Sequence, residues 1–199
     1  MPQDGHDKQD CETAAGKRWI DKNSARYAAL NATLLGDDIY AHQPMCRRAL
    51  LNGFRFIFVC KPDSHIGLYP WVNQLQPDSG LRVLTQHVKN GAHFEQYTYR
   101  FANGVPLTTE ADALKVNWCE LTVTNKNGEV FYHNAFITDF TITQDNVASI
   151  VATARARWKI ENENNNVLKN RGYHLEHNFG HGKKHLSSLL AAMNILAFL

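Results

Sequence analysis

The feature that most constrains this chain of 199 residues is a strand-helix-strand alternation held within residues 32 to 59. Ala32-Thr33-Leu34-Leu35 is a short apolar run stopped by Gly36-Asp37-Asp38, which reads as a buried strand with two carboxylates at its carboxyl end. A helix is expected next, from about Met45 to Leu51, with Pro44 at its start and Asn52-Gly53 at its end. Phe54-Arg55-Phe56-Ile57-Phe58-Val59 then supplies a second strand, closed by Lys61-Pro62. Two strands joined through a helix run in the same direction, so the pattern predicts a βαβ unit with parallel neighbours.

The texture changes from about Arg82 to Phe140. Tyr97, Tyr99 and Phe101 alternate with Gln96, Thr98 and Arg100, and Val116 to Thr124 and Val130 to Ile137 flank a turn at Asn125-Lys126-Asn127-Gly128. Such alternation around Asn/Gly turns predicts antiparallel hairpins, here as a β subdomain inserted into an α/β core. Residues 8 to 31 carry helical spacing, and Leu186 to Leu199 is apolar nearly all round. Three segments are expected: 1–81 and 141–199 as the two parts of the core, and 82–140 as the insertion.

After the insertion, Val147, Ile150, Val151, Ala154 and Trp158 recur at helical intervals behind a cap at Thr143 or Asp145. The same spacing puts Glu161 on that inward stripe and Glu163 on the opposite side. A buried glutamate is costly unless it is paired or binds a cation. A salt bridge to Arg157, one turn earlier, would satisfy it; so would a metal. Asp37 favours the metal, because a carboxylate ending a parallel strand and another on a distant helix are the hard oxygen ligands with which two-metal sites clamp a phosphodiester. Asp38, adjacent and opposite-facing along the strand, is the weaker ligand. Lys61-Pro62-Asp63-Ser64-His65 lies at a strand's carboxyl end, where Asp63 or His65 could border the site, and a polar loop is the favoured reading.

Four segments together resemble the bacterial insertion-sequence transposases of the DDE superfamily, in particular the group named for insertion sequence 4. They are Leu35-Gly36-Asp37-Asp38-Ile39-Tyr40, Phe56 to Pro62, Arg157-Trp158-Lys159-Ile160-Glu161-Asn162 and His174 to Gly182. The resemblance implies a ribonuclease H-like α/β core with the inserted antiparallel β subdomain, and metal-dependent DNA strand cleavage and transfer. It places the second catalytic carboxylate on Asp37, with Tyr40 following, and the third on Glu161, with Arg157 preceding; both would be ligands of Mg²⁺ or Mn²⁺. The family's signature carries a Tyr and a Lys at places where this chain has Ala154 and Leu168, and Lys169, one residue on, takes the Lys role of holding DNA. The first aspartate of the family lies on strands upstream of a helix. Asp4, Asp7 and Asp10 are the only acids far enough upstream, and the stretch between them and Asp37 is helical. The chain is therefore expected to be an N-terminally truncated form, inactive alone. A catalytically dead remnant that only binds DNA, and a metal-dependent nuclease, are the alternatives.

Formal charge is only +2, so any nucleic-acid footprint has to be local. Ile150 to His185 holds seven Lys/Arg against three acids. From this segment Arg157, Lys169, Arg171, Lys183 and Lys184 are expected to contact the DNA of transposon ends, with a homodimer in a synaptic complex as the assembly the resemblance implies. His174, His177, His181 and His185 are spaced as metal ligands on a helix would be, but Gly180 and Gly182 interrupt any helix, and phosphate contacts suit the segment better. The four cysteines are far apart, without a C-x-x-C, which predicts reduced thiols. No window is long and apolar enough for a membrane span, and the expected location is cytoplasmic, with the nucleoid when bound to DNA.

Overall fold

The computed structural model describes residues 11–76, 80–91, 93–175, 177 and 184–198, without the side chain of Glu161. Helix α1 (Glu12–Tyr27) is followed by strand β1 (Thr33–Gly36), helix α2 (Gln43–Leu51) and strand β2 (Arg55–Val59). β1 and β2 are parallel, in the register Leu34 with Phe56 and Gly36 with Phe58. A short helix α3 (Leu68–Gln74) leads to four longer strands: β3 (Arg82–Asn90), β4 (His93–Pro106), β5 (Lys115–Thr124) and β6 (Val130–Thr138). Helix α4 (Val147–Lys159) then runs into a π-helical stretch, Ile160–Asn165, and helices α5 (Asn166–Asn170) and α6 (Leu186–Phe198).

The protein is thus mixed α/β. Among the described residues all six strands form one sheet, in the order β1-β2-β6-β5-β4-β3. The hairpin block expected over 82–140 is not a separate sheet, because β6 pairs antiparallel with β2 through Ile57 with Thr138, Phe58 with Ile137 and Val59 with Phe136. The physical reason is visible in the residue alternation of β2, which is apolar on both faces: Phe56 and Phe58 point one way, Ile57 and Val59 the other, and all four are buried. A strand of that kind is stable only inside a sheet covered on both sides.

The two faces have separate cores. Phe56, Phe58, Trp118 and Ile137 pack with Ile20 of α1, Met45, Cys46 and Ala49 of α2, and Leu68 and Val72 of α3. Ile57, Val59, Phe101, Leu121 and Phe136 pack with Val147, Ile150, Val151 and Ala154 of α4. Fully burying each large apolar side chain stabilises the fold by about 1.5–3 kcal/mol. The Asn125–Glu129 turn closes β5 to β6: Asn125 Oδ1 accepts the N–H groups of Asn127 at 2.8 Å and Glu129 at 3.1 Å, and Gly128 takes the positive φ of 81° the turn needs.

The chain divides into two compact units: Thr13–Ala154, and Arg155–Leu199 together with the N-terminal residues through Glu12. In the second unit Leu168 of α5 is buried, its carbonyl accepts the Leu175 N–H at 3.1 Å, and Tyr173 meets Phe198 of α6 edge-on, 5.8 Å between ring centres. No helix among the described residues is long and apolar enough to cross a membrane.

Candidate functional site

The carboxyl end of β1 is built around a close approach. Gly36 faces Phe58 across the parallel pair, and a Cβ on it would come within 2.8 Å of the Phe58 ring and 3.0 Å of the Tyr40 ring. The strand then stops in a single 3₁₀ turn, Asp38–Tyr40, with Asp37 still extended at φ −84° and ψ −172°. The Asp37 carbonyl accepts the Tyr40 N–H and the Asp38 carbonyl the Ala41 N–H, both at 3.1 Å. Extended backbone at Asp37 followed by a turn sends the two neighbouring carboxylates to different surroundings.

Asp38 is engaged within the fold. Its Oδ1 accepts the Lys61 backbone N–H at 2.6 Å and lies 3.3 Å from His65 Nε2, and Ser64 also hydrogen-bonds the carboxylate. Burial pushes the Asp38 carboxyl up, but the hydrogen bonds from Ser64 and Lys61 and the nearby His65 and Lys61 charges outweigh it and hold the group below its ordinary value. His65 is 4% exposed, and burial drives its imidazole below the usual histidine range against the opposing pull of Asp38. The ring of His42 stacks on it at 5.1 Å. A cleft of about 160 Å³ opens beside this pair, lined among others by Ser64, Gly67 and Thr108.

Asp37 is the opposite case. It is half-buried, and its Oδ1 is buried without a hydrogen-bond partner among the described residues. A shielded carboxylate oxygen without a donor is costly to the fold; His65 Nε2 and Trp118 Nε1 are in the same state among the described residues, but neither carries a negative charge. Hard cations are the ligands that a carboxylate oxygen of this kind takes. Among the described residues no group of three or more His, Cys, Asp and Glu side chains is arranged to hold a metal ion.

The remaining residues singled out in the sequence belong to the other unit. Arg157 is half-buried near the end of α4, whereas Lys169, Arg171 and Lys184 are exposed. Lys183 and His181 lie outside the described residues. Glu161 falls in the π-helical stretch Ile160–Asn165, and Glu163 beside it is exposed, as the spacing predicts. The apolar stripe of α4 ends sooner than the sequence suggests: Ala154 is buried but Trp158 is 62% exposed. The change of helix type has a local cause. Asn162, Asn164, Asn165 and Asn166 fall in this stretch, and asparagine is a weak helix former whose side chain competes for backbone groups. The Trp158 carbonyl, which in an α-helix would accept the backbone N–H of residue 162, accepts the Asn162 side-chain amide at 3.0 Å, and Asn166 in turn donates to Asn162 at 2.9 Å. π-helical turns recur at functional sites.

Sequence reasoning raised His65 only as a residue that could border the site and favoured a polar loop, so its burial was missed. The one available signal was that Leu68, three residues on, opens an apolar stretch that anchors α3 and draws His65 inward. No family model matches the sequence, and neither does any curated protein.

Proposed function

We propose that the chain carries the catalytic domain of a DNA transposase of the DDE superfamily, with the ribonuclease H-like core that the sequence resemblance implies. The single observation that carries this reading is Asp37: a carboxylate at the carboxyl end of a parallel strand, with one oxygen shielded and unpartnered among the described residues. The neighbouring carboxylate, by contrast, is fully engaged in the fold. The α/β architecture, with helices on both faces of a mixed sheet, is compatible with such a core.

In this reading Asp37 is a ligand of Mg²⁺ or Mn²⁺, a role the resemblance also implies for Glu161, and the ion when bound supplies charge neutralisation at the phosphodiester. The side chains of Arg157, Lys169, Arg171, Lys183 and Lys184 bind the phosphates of the DNA strand and orient it. The reaction class is attack by water, and afterwards by the 3′-hydroxyl so released, on phosphorus, with the displaced oxygen leaving as a hydroxyl. With two of the family's three carboxylates assigned, to Asp37 and Glu161, the expectation is DNA binding without cutting.

The test is binding to duplex DNA at low and moderate salt, followed by incubation of a supercoiled plasmid with Mg²⁺ or Mn²⁺. Salt-sensitive binding without nicking is expected. Absence of binding at low salt would remove the DNA role. Metal-dependent nicking that disappears in Glu161→Ala would show that a further ligand completes the site and would overturn the expectation of binding without cutting.

A further inference from the structure

Asp38 poses a question that its neighbour does not. Strand β1 is four residues long and, among the described residues, pairs only with β2, so backbone hydrogen bonds fix its carboxyl end on one side alone. Beyond Gly36 those bonds stop, and the chain turns at once. The tie that replaces them comes from side chains. Asp38 reaches across to the segment that follows β2, where it meets the Lys61 N–H, Ser64 and His65 within a span of five residues. A charged acceptor at 2.6 Å makes a strong hydrogen bond, and partial burial strengthens it. His65, nearly inaccessible, packs against the carboxylate with its Nε2 3.3 Å from Asp38 Oδ1, a contact without hydrogen-bond geometry, and the exposed His42 ring stacks on His65.

We propose that Asp38 and His65 are positioning residues that clamp the carboxyl end of β1 to the segment after β2 and so fix where Asp37 presents its carboxylate. The proposal rests on the reading of Asp37 as a metal ligand. In it the paired aspartates divide the work: one is spent entirely on the protein so that the other stays available. Asp38 is then not a ligand, and its neutral isostere should serve nearly as well, because an amide oxygen still accepts the Lys61 N–H.

The experiment compares the full chain with Asp38→Ala, Asp38→Asn and Asp37→Asn by two readouts. One is hydrogen exchange at the Tyr40 and Ala41 amides, which donate to the Asp37 and Asp38 carbonyls; the other is Mn²⁺ binding followed by water-proton relaxation. Asp38→Ala is expected to raise exchange at both amides and to weaken Mn²⁺ binding, each by about tenfold, the size of effect that losing a charged hydrogen bond produces. Asp38→Asn should stay within about threefold of the parent on both, and Asp37→Asn should lose Mn²⁺ while leaving exchange unchanged. Unaltered exchange in Asp38→Ala would overturn the clamp. So would loss of Mn²⁺ in Asp38→Asn as complete as in Asp37→Asn, since Asp38 would then be a ligand itself. If the parent binds no Mn²⁺, the metal reading falls and the exchange result alone decides the clamp. Should Asp38→Ala not fold, Ser64→Ala removes one hydrogen bond to the Asp38 carboxylate and is expected to raise exchange at the same two amides, and no rise would overturn the clamp.

Discussion

The backbone N–H of Phe56, on β2, donates to Asp139 Oδ1 at 2.9 Å, although the two residues are 83 positions apart. Asp139 also pairs with the Arg55 guanidinium, which lies over the Phe140 ring at 3.9 Å. One carboxylate therefore locks the segment after β6 onto the start of β2. Asp139→Ala leaves a buried N–H without an acceptor and is expected to cost about 2 kcal/mol. Asp139→Asn keeps the acceptor and gives up only a half-exposed ion pair, for less than about 1 kcal/mol. Urea unfolding of the two variants measures the difference; equal losses would show that the ion pair, not the amide, carries the stability.

Gly36→Ala should be disproportionately harmful for so small a change. The added methyl would meet the Phe58 ring at 2.8 Å and the Tyr40 ring at 3.0 Å, at the one buried position of a strand that is otherwise half-buried, not buried throughout as the sequence predicts, and its partner Phe58 cannot retreat without disturbing the core beneath. Overpacking of this kind costs about 1–3 kcal/mol. A variant as stable as the parent would mean that Tyr40 swings away freely, and that the end of β1 is looser than its contacts imply.

How much of this was legible beforehand differs by region. The βαβ unit and the hairpin strands followed from the residues, because runs such as Phe54 to Val59 and the alternation through Tyr97-Thr98-Tyr99 state both period and burial directly. Asp37 was legible as the carboxylate to watch. The joining of the hairpins to β2 was not, since long-range pairing of Phe58 with Ile137 leaves no local trace. Nor was the helix face at Trp158, because extending the stripe beyond Ala154 assumes an α-helical period that the asparagine-rich stretch abandons two residues later. The burial of His65 was not legible for a third reason: it is imposed by α3 and His42, not by its own neighbours in sequence.

Thiol reactivity should divide one against three. Cys11 is exposed, while Cys46, Cys60 and Cys119 are buried. Burial pushes the Cys46 and Cys119 thiols up to about 12 and raises Cys60 as well. Since the thiolate is the reactive form, a maleimide should label one cysteine quickly in the native protein and the other three only on unfolding. The same shifts set an alkaline limit. The unfolded thiols lose their protons near pH 9 and the folded ones only near 12, so stability is fully present below about pH 9 and falls as pH rises toward 12. A stability curve flat across that interval would show the three thiols to be solvated.

Removing Lys169 and Arg171 together should flatten the salt dependence of DNA binding. Each phosphate contact contributes roughly −0.9 to the slope of log K against log salt, so the double alanine variant is expected to lower the slope by about two. Both side chains are exposed, and their loss should leave the melting temperature nearly unchanged. An unaltered slope would take these two residues off the DNA.

The strand order also sets a timetable for synthesis. β2 has β1 on one edge and β6 on the other, and the Thr138 hydroxyl that donates to the Phe56 carbonyl at 2.7 Å stands 82 residues downstream. β1 can reach β2 as soon as both have left the ribosome, but the second edge of β2, with its run of phenylalanines, stays open until residue 138 emerges. The larger loop adds only about 1 kcal/mol to the entropy of closure; the heavier penalty is time. An interior strand with a bare edge is a template for pairing with other nascent copies. A pause in translation between β3 and β6 would lengthen that exposure, so the speed at which the hairpins are made governs how much of the chain reaches its own sheet.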